Sequence, residues 1–157
     1  MRLTLLLCSL AALPLFAASP KDFAVWKSDD LKANEKTLHA RLKGNEKGAI
    51  NRLADYGNHN TLVNHRTGDG EMEIHADWND MFIVQTGEAT LLIGGTVVNG
   101  KTTGPGEIRG TTATGGEKHV VSAGDIVHIP AGVPHQFLIP AGKQITYFAV
   151  KIPAAKK

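Results

Sequence analysis

Three patterns of apolar and polar positions follow one another along the chain. Residues 3–16 form an apolar run behind Met1-Arg2 and ahead of the small residues Ala17-Ala18-Ser19. A short positive start, an apolar stretch and small residues at its exit are the parts of a secretory signal peptide. The run is too short to span a bilayer and Pro14 interrupts it, so a permanent anchor is not expected. Residues 1–19 are therefore predicted to be a leader, cut between Ala17 and Ser19, and the mature protein to be periplasmic or secreted. Cys8 lies in the middle of the run, whereas a lipid-attachment cysteine would close it, which argues against a lipoprotein.

From Ser28 the spacing turns helical. Ser28 is placed to cap the first turn, Asp29 and Asp30 follow, and Leu31, Leu38 and Leu42 recur near one face before Gly44. Residues 20–48 thus read as a helical extension packed on the outside of the main domain. After Gly48 the period shortens to that of strands: residues 49–56, 60–66, 72–75, 81–86, 89–93 and 97–98. Most are separated by glycine- or asparagine-rich punctuation such as Gly57-Asn58, Gly87 and Gly94-Gly95. Residues 101–116, rich in Gly and Thr and containing Pro105, read as one long loop. Strands resume at 119–121, 125–129, 136–139 and 144–151, and residues 153–157 form a tail. Many short strands with frequent turns predict an all-β sandwich or barrel over residues 49–152.

Length and charge narrow this picture. A chain of 157 residues, 42 % hydrophobic and 20 % charged, builds one packed domain rather than two cores or a disordered chain. The formal charge is +2 with the basic residues scattered, which excludes nucleic acid or an anionic membrane as the main partner. Loss of Arg2 with the leader takes the seventeen basic residues to sixteen, against fifteen acidic ones. The single cysteine excludes a disulfide framework and a thiolate metal cluster. Gly-x-Ser-x-Gly and phosphate-loop patterns are absent.

The most specific segment is Gly124-Asp125-Ile126-Val127-His128-Ile129-Pro130-Ala131-Gly132-Val133-Pro134-His135. A glycine opens a strand, Pro-x-Gly makes a tight reversal, and the next strand begins with a histidine turned back towards a cavity. This segment resembles the second motif of the cupin superfamily, with Gly124, Pro130, Gly132 and His135 at matching spacings and Ile139 where the family has asparagine. The first cupin motif is degenerate: anchored on Gly87, its register sets Glu73-Ile74-His75 in place of His-x-His and Asp80 in place of glutamate. The resemblance covers residues 51–152 and implies a single-domain jelly-roll β-barrel. It also implies that Glu73, His75, Asp80 and His135 converge on one divalent metal. Glu73 and His75 lie two apart on one strand and so share a face. Two imidazoles and two carboxylates suit Zn, Mn, Fe or Ni.

Other residues are candidates for the pocket. His65 reaches it from a neighbouring strand or is an ordinary hydrogen-bonded histidine, and Trp78 walls its mouth or simply packs. His128 points to the face opposite Val127 and Ile129, which alternation alone does not identify as lumen or exterior. Tyr147 and Lys151 share a face with Ile145 and Ala149. His39, His59 and His119 read as exposed. Three functions fit: a metal-dependent oxygenase, isomerase or lyase acting on a small polar molecule, a module that binds a small metabolite or metal ion without turning it over, or a structural or storage-like barrel. A metal-free binding barrel is the alternative to a metal site. Sheet-edge pairing into a homodimer, with the segment around Leu53 and Leu62 in contact, is also expected.

Overall fold

Alternation after Gly48 does build strands, and more of them than the sequence pattern marks. The computed structural model describes residues 20–155. The expected leader over residues 1–19 lies outside the described residues. Helix α1 (Ser28–His39) precedes β1 (Gly48–Asp55), β2 (Asn60–Arg66), β3 (Met72–His75), β4 (Trp78–Ile93), β5 (Thr96–Val98) and β6 (Lys101–Gly104). There follow β7 (Glu107–Gly110), β8 (Thr112–Thr114), β9 (Glu117–Ser122), β10 (Ile126–Ile129), β11 (His135–Leu138) and β12 (Ile145–Pro153). Ten strands form one antiparallel sheet along the path β1-β2-β12-β4-β11-β3-β7-β6, with β9 and β10 also paired to β4, while β5 and β8 make a separate ribbon.

Strand β4 joins the two walls of this half-barrel. Its first half lies between β12 and β10, and its second half between β11 and β9. Partners change at Gly87, which sits at φ +77 with Gln144 O in the space that a Cβ would fill. Only glycine tolerates that left-handed conformation and that approach together. The sequence pattern breaks β4 at this residue into two strands; the observed strand runs through, because β12 and β11 pair with its successive halves. The loop expected over residues 101–116 is also corrected. It holds β6, β7 and β8, and β7 pairs with β3 in the register Glu73↔Arg109 and His75↔Glu107.

The inner face packs Leu62, Phe82, Val84, Leu91, Ile129, Phe137, Tyr147 and Ala149 into the main core. Helix α1 lies on the outer face of the other wall, where Leu38 is fully buried against Val63 and Phe148, with Leu31 beside them. Ser28 is the first helical residue rather than the cap; the cap position is Lys27, which makes no side-chain capping bond. The helix ends at His39, short of Gly44. Strand β1, which carries Leu53 of the expected dimer segment, lies at the edge of the sheet. Leu62 is buried in the main core, and Leu53 is half-buried against the outer cluster.

Candidate metal centre

Strand β3 carries Glu73 and His75, β11 opens with His135, and β4 supplies Asp80. Pairing of β11 with β3 sets His135 directly opposite Glu73. The Pro130–Gly132 turn holds this arrangement from outside: Gly132 N donates to His75 O at 2.8 Å, and Ala131 N to Asn79 Oδ1 at 3.0 Å. The turn that resembles the cupin motif is thus strapped to both neighbours of the cluster. Ile139, in place of the family's asparagine, is buried in the main core.

His75 Nε2 lies 3.4 Å from Glu73 Oε2 and 3.4 Å from Asp80 Oδ2, and His135 Nε2 lies 3.4 Å from the same Asp80 oxygen. His75 and His135 are each 4 % exposed and Asp80 2 %. Both rings are oriented through Nδ1. His75 Nδ1 donates to Glu107 Oε2 at 2.6 Å, and His135 Nδ1 to Val133 O at 3.0 Å. That leaves each Nε2 lone pair turned towards the cluster, the tautomer a metal ligand needs. Each carboxylate also divides its oxygens: Glu73 Oε1 is held by Arg109 and Asp80 Oδ1 by Lys151 Nζ at 2.8 Å, while the other oxygen faces the imidazoles.

Burial opposes the charge on Glu73, but the adjacent His75 ring and the charges of Arg109 and Arg66 hold its carboxyl down at about 2. Burial would lower His75, yet Glu73, Asp80 and Glu107 together raise it above the ordinary imidazole value despite Lys151. Burial dominates at His135 and lowers it. Glu73 is thus an anion, and His135 a neutral donor, near neutral pH.

Glu73, His75 and His135 each offer a ligand atom within 4.8 Å of the others, so this group could hold a metal ion. The test of fit is His75 Nε2, a buried nitrogen with no hydrogen-bond partner. Such an atom costs free energy unless something occupies its lone pair. A cation among these donors would satisfy it, and the nitrogen and oxygen set matches a borderline-to-hard divalent ion.

The other sequence candidates divide by face. Tyr147 is in the lumen, buried against Phe82 and Phe137 with ring centroids 4.9 and 4.7 Å away. Lys151 is in the lumen on Asp80. His65 is not in the pocket: it faces α1, between Thr146 Oγ1 at 3.0 Å and His39 Nδ1 at 3.2 Å, because its neighbours Asn64 and Arg66 occupy the inner face. His39 is exposed as expected, although its ring reaches His65. His128 is on the exterior, and Val127 and Ile129 face the core. Trp78 is half-buried at the start of β4 and does not line the cavity around the cluster. Glu107 and Arg109 were hidden within the Gly- and Thr-rich segment; the one signal for them was the Glu-x-Arg alternation of a strand. A wider cleft of about 550 Å³ lies between β9 and β10, and none of Glu73, His75, Asp80 and His135 lines it.

A family model described as a cupin domain matches residues 106–151. An uncharacterized conserved protein with a double-stranded β-helix domain from Klebsiella pneumoniae superposes with a TM-score of 0.58 at 14 % identity, covering 91 % of this chain and 95 % of the other. A protein of Thermus thermophilus gives a TM-score of 0.52 at 16 % identity over 73 % and 93 % of the two chains. A recombinant oxalate oxidase in complex with glycolate gives 0.50 at 15 % identity over 70 % of this chain and 53 % of the oxidase, so this chain spans about half the oxidase's length. At these identities the likeness is one of fold. No curated protein matches the sequence. The jelly-roll barrel, the strapped Gly–Pro–Gly–His turn and the family model matched over residues 106–151 together define the class this chain is similar to, a cupin-type barrel.

Proposed function

We propose that this protein is an exported cupin that holds a divalent metal on Glu73, His75, Asp80 and His135 and binds a small polar molecule beside it. The observation that carries the reading is the pair of imidazoles. Both have Nδ1 occupied by a fixed acceptor and both aim Nε2 at the point where Glu73 and Asp80 each offer one oxygen. The donor set suits Zn, Mn, Fe or Ni. A bound divalent ion would supply Lewis-acid polarisation of a ligand oxygen, as isomerases and lyases use, or oxygen activation if the ion is redox-active. The chain's own part is orientation: Glu107 and Val133 fix the two tautomers, while Arg109 and Lys151 hold the carboxylates and lessen their mutual repulsion.

A second reading, a metal-free binding barrel, draws support from those same two ion pairs, since Arg109 and Lys151 already balance Glu73 and Asp80. Elemental analysis of purified protein, with melting curves before and after chelation, separates the two. The metal reading expects near-stoichiometric metal, a lower Tm after stripping, and loss of metal in His135→Ala but not in His119→Ala. Full occupancy in His135→Ala, or no metal under any loading condition, favours the empty barrel instead.

Export rests on the apolar run of residues 3–16 with its small-residue exit. Intact mass of protein from the envelope fraction should place the mature start near residues 18–20; a mass that still includes Cys8 refutes it. Sheet edges left open in the fold support a homodimer, for which light scattering over a wide concentration range is the measurement.

A further inference from the structure

Arg66 is the lumen cation that the metal reading leaves unused. It ends β2 on the inner face, and its Nε donates to Tyr147 Oη at 3.3 Å. Tyr147 is buried on Phe82 and Phe137, and burial raises its phenol, so it accepts from the guanidinium as a neutral group and does not pair with its charge. Of the other cations lining the cavity, Arg109 is committed to Glu73 and Glu71 and Lys151 to Asp80, while Arg52 is exposed to solvent. Arg66 makes no ion pair among the described residues, and the remaining N–H groups of its fork have no hydrogen-bond partner there.

Arg66 lines the same cavity as Glu73, His75, Asp80, Tyr147 and Lys151. The cavity volume is about 170 Å³. That is on the order of six water molecules at their liquid volume, well below a drug-sized pocket. Its other lining includes the apolar Leu62, Phe82 and Ala149. Glu73 and Asp80 are held by Arg109 and Lys151, and no carboxylate lies in ion-pair contact with Arg66 among the described residues, so its fork can receive one from a ligand. The planar fork of an arginine matches a carboxylate in two parallel hydrogen bonds.

We propose that the ligand of this barrel is a small carboxylate of roughly six to eight non-hydrogen atoms, docked through its carboxylate on Arg66 with its other polar end towards the imidazole cluster. The assignment rests on the metal reading for that second end only. Arg66 acts as a binding and positioning residue, and Tyr147 fixes the direction of its fork.

Calorimetric titration tests this with lactate, malonate and lactamide, the neutral amide of the same size as lactate. Each is titrated into zinc-loaded and EDTA-stripped protein. Lactate or malonate should bind the zinc-loaded protein and raise its Tm, and lactamide should bind at least about tenfold more weakly than lactate, as loss of a charged hydrogen-bond partner requires. Arg66→Met should weaken carboxylate binding by a similar factor at unchanged zinc stoichiometry, and Arg66→Lys should recover part of it. Lactamide binding as tightly as lactate overturns the proposal, as does Arg66→Met binding carboxylates like the wild type. Zinc uptake with no response to either carboxylate also overturns it and leaves the metal reading standing. Carboxylate binding that needs Arg66 in a protein that never takes zinc has the opposite meaning: the metal reading fails and the Arg66 site stands. If Arg66→Met does not fold, the lactate–lactamide comparison on the wild type and the Arg66→Lys variant decide the matter.

Discussion

Glu107 gives the sharpest test of how the cluster is organised, because it touches a ligand and not the ligand point. Its Oε2 accepts from His75 Nδ1 at 2.6 Å, and the His75 side chain is only 5 % exposed. Replacing Glu107 by Ala removes a charge-assisted hydrogen bond, whose loss typically costs about 1.5–3 kcal/mol. It also frees the ring to carry its proton on Nε2, where it blocks ligation. Changes of this kind at a ligand's outer partner lower metal affinity by roughly 10- to 100-fold, which is about 1.4–2.8 kcal/mol, so the two estimates agree. Competition titration of zinc against a chromophoric chelator reads the affinity directly. Glu107→Ala should still reach full stoichiometry at high zinc, but with a dissociation constant roughly 10- to 100-fold higher than wild type. Glu107→Gln, which keeps an acceptor without the charge, should fall between them. Combined with His75→Ala, the Glu107 effect should vanish, since the carboxylate acts through that ring. An affinity for Glu107→Ala within about twofold of wild type, while His75→Ala abolishes binding, would falsify the orientation argument; the threshold is small beside the expected effect.

Two further outcomes concern the fold. Gly87→Ala should lower Tm well beyond Gly124→Ala: both residues have positive φ, but a Cβ at Gly87 would overlap Gln144 O and one at Gly124 meets nothing within 4 Å. Gly124→Ala carries only the left-handed cost of roughly 1–2 kcal/mol, and equal losses in thermal melts would contradict the β4 geometry. His65 is lowered by burial and by His39, against the opposing charge of Glu35. Its unfolded form therefore binds a proton more readily, so its contribution to stability is present above pH 6.5, its ordinary value, and is lost as pH falls below that towards the folded value. Melting of wild type between about pH 7.5 and 5, roughly a unit or more either side of an ordinary imidazole pKa, should show a steeper loss of Tm than His65→Gln. Parallel slopes would refute it.

The local parts of this protein are legible in its sequence. Period-two alternation marks most of the strands, and Gly124, Pro130, Gly132 and His135 announce the turn because a tight reversal needs those conformations wherever it occurs. The same alternation puts Glu73 and His75 on one face. Local pattern does not say which of a strand's two faces becomes the lumen. That depends on what packs against each side, so His65 belongs under α1, His128 lies outside, and Tyr147 and Lys151 point inward for reasons written elsewhere in the chain. Glu107 and Arg109 were lost in a Gly- and Thr-rich stretch that pairs only because β3 offers its edge, and Gly87 looked like a break because the strand it continues is supported by two different partners. The division of each carboxylate between a cation and the imidazoles, and the unpaired charge of Arg66, likewise arise from registers between distant strands. Hydrogen-bonded pairing across tens of residues sets these contacts, and tertiary structure alone decides such pairing.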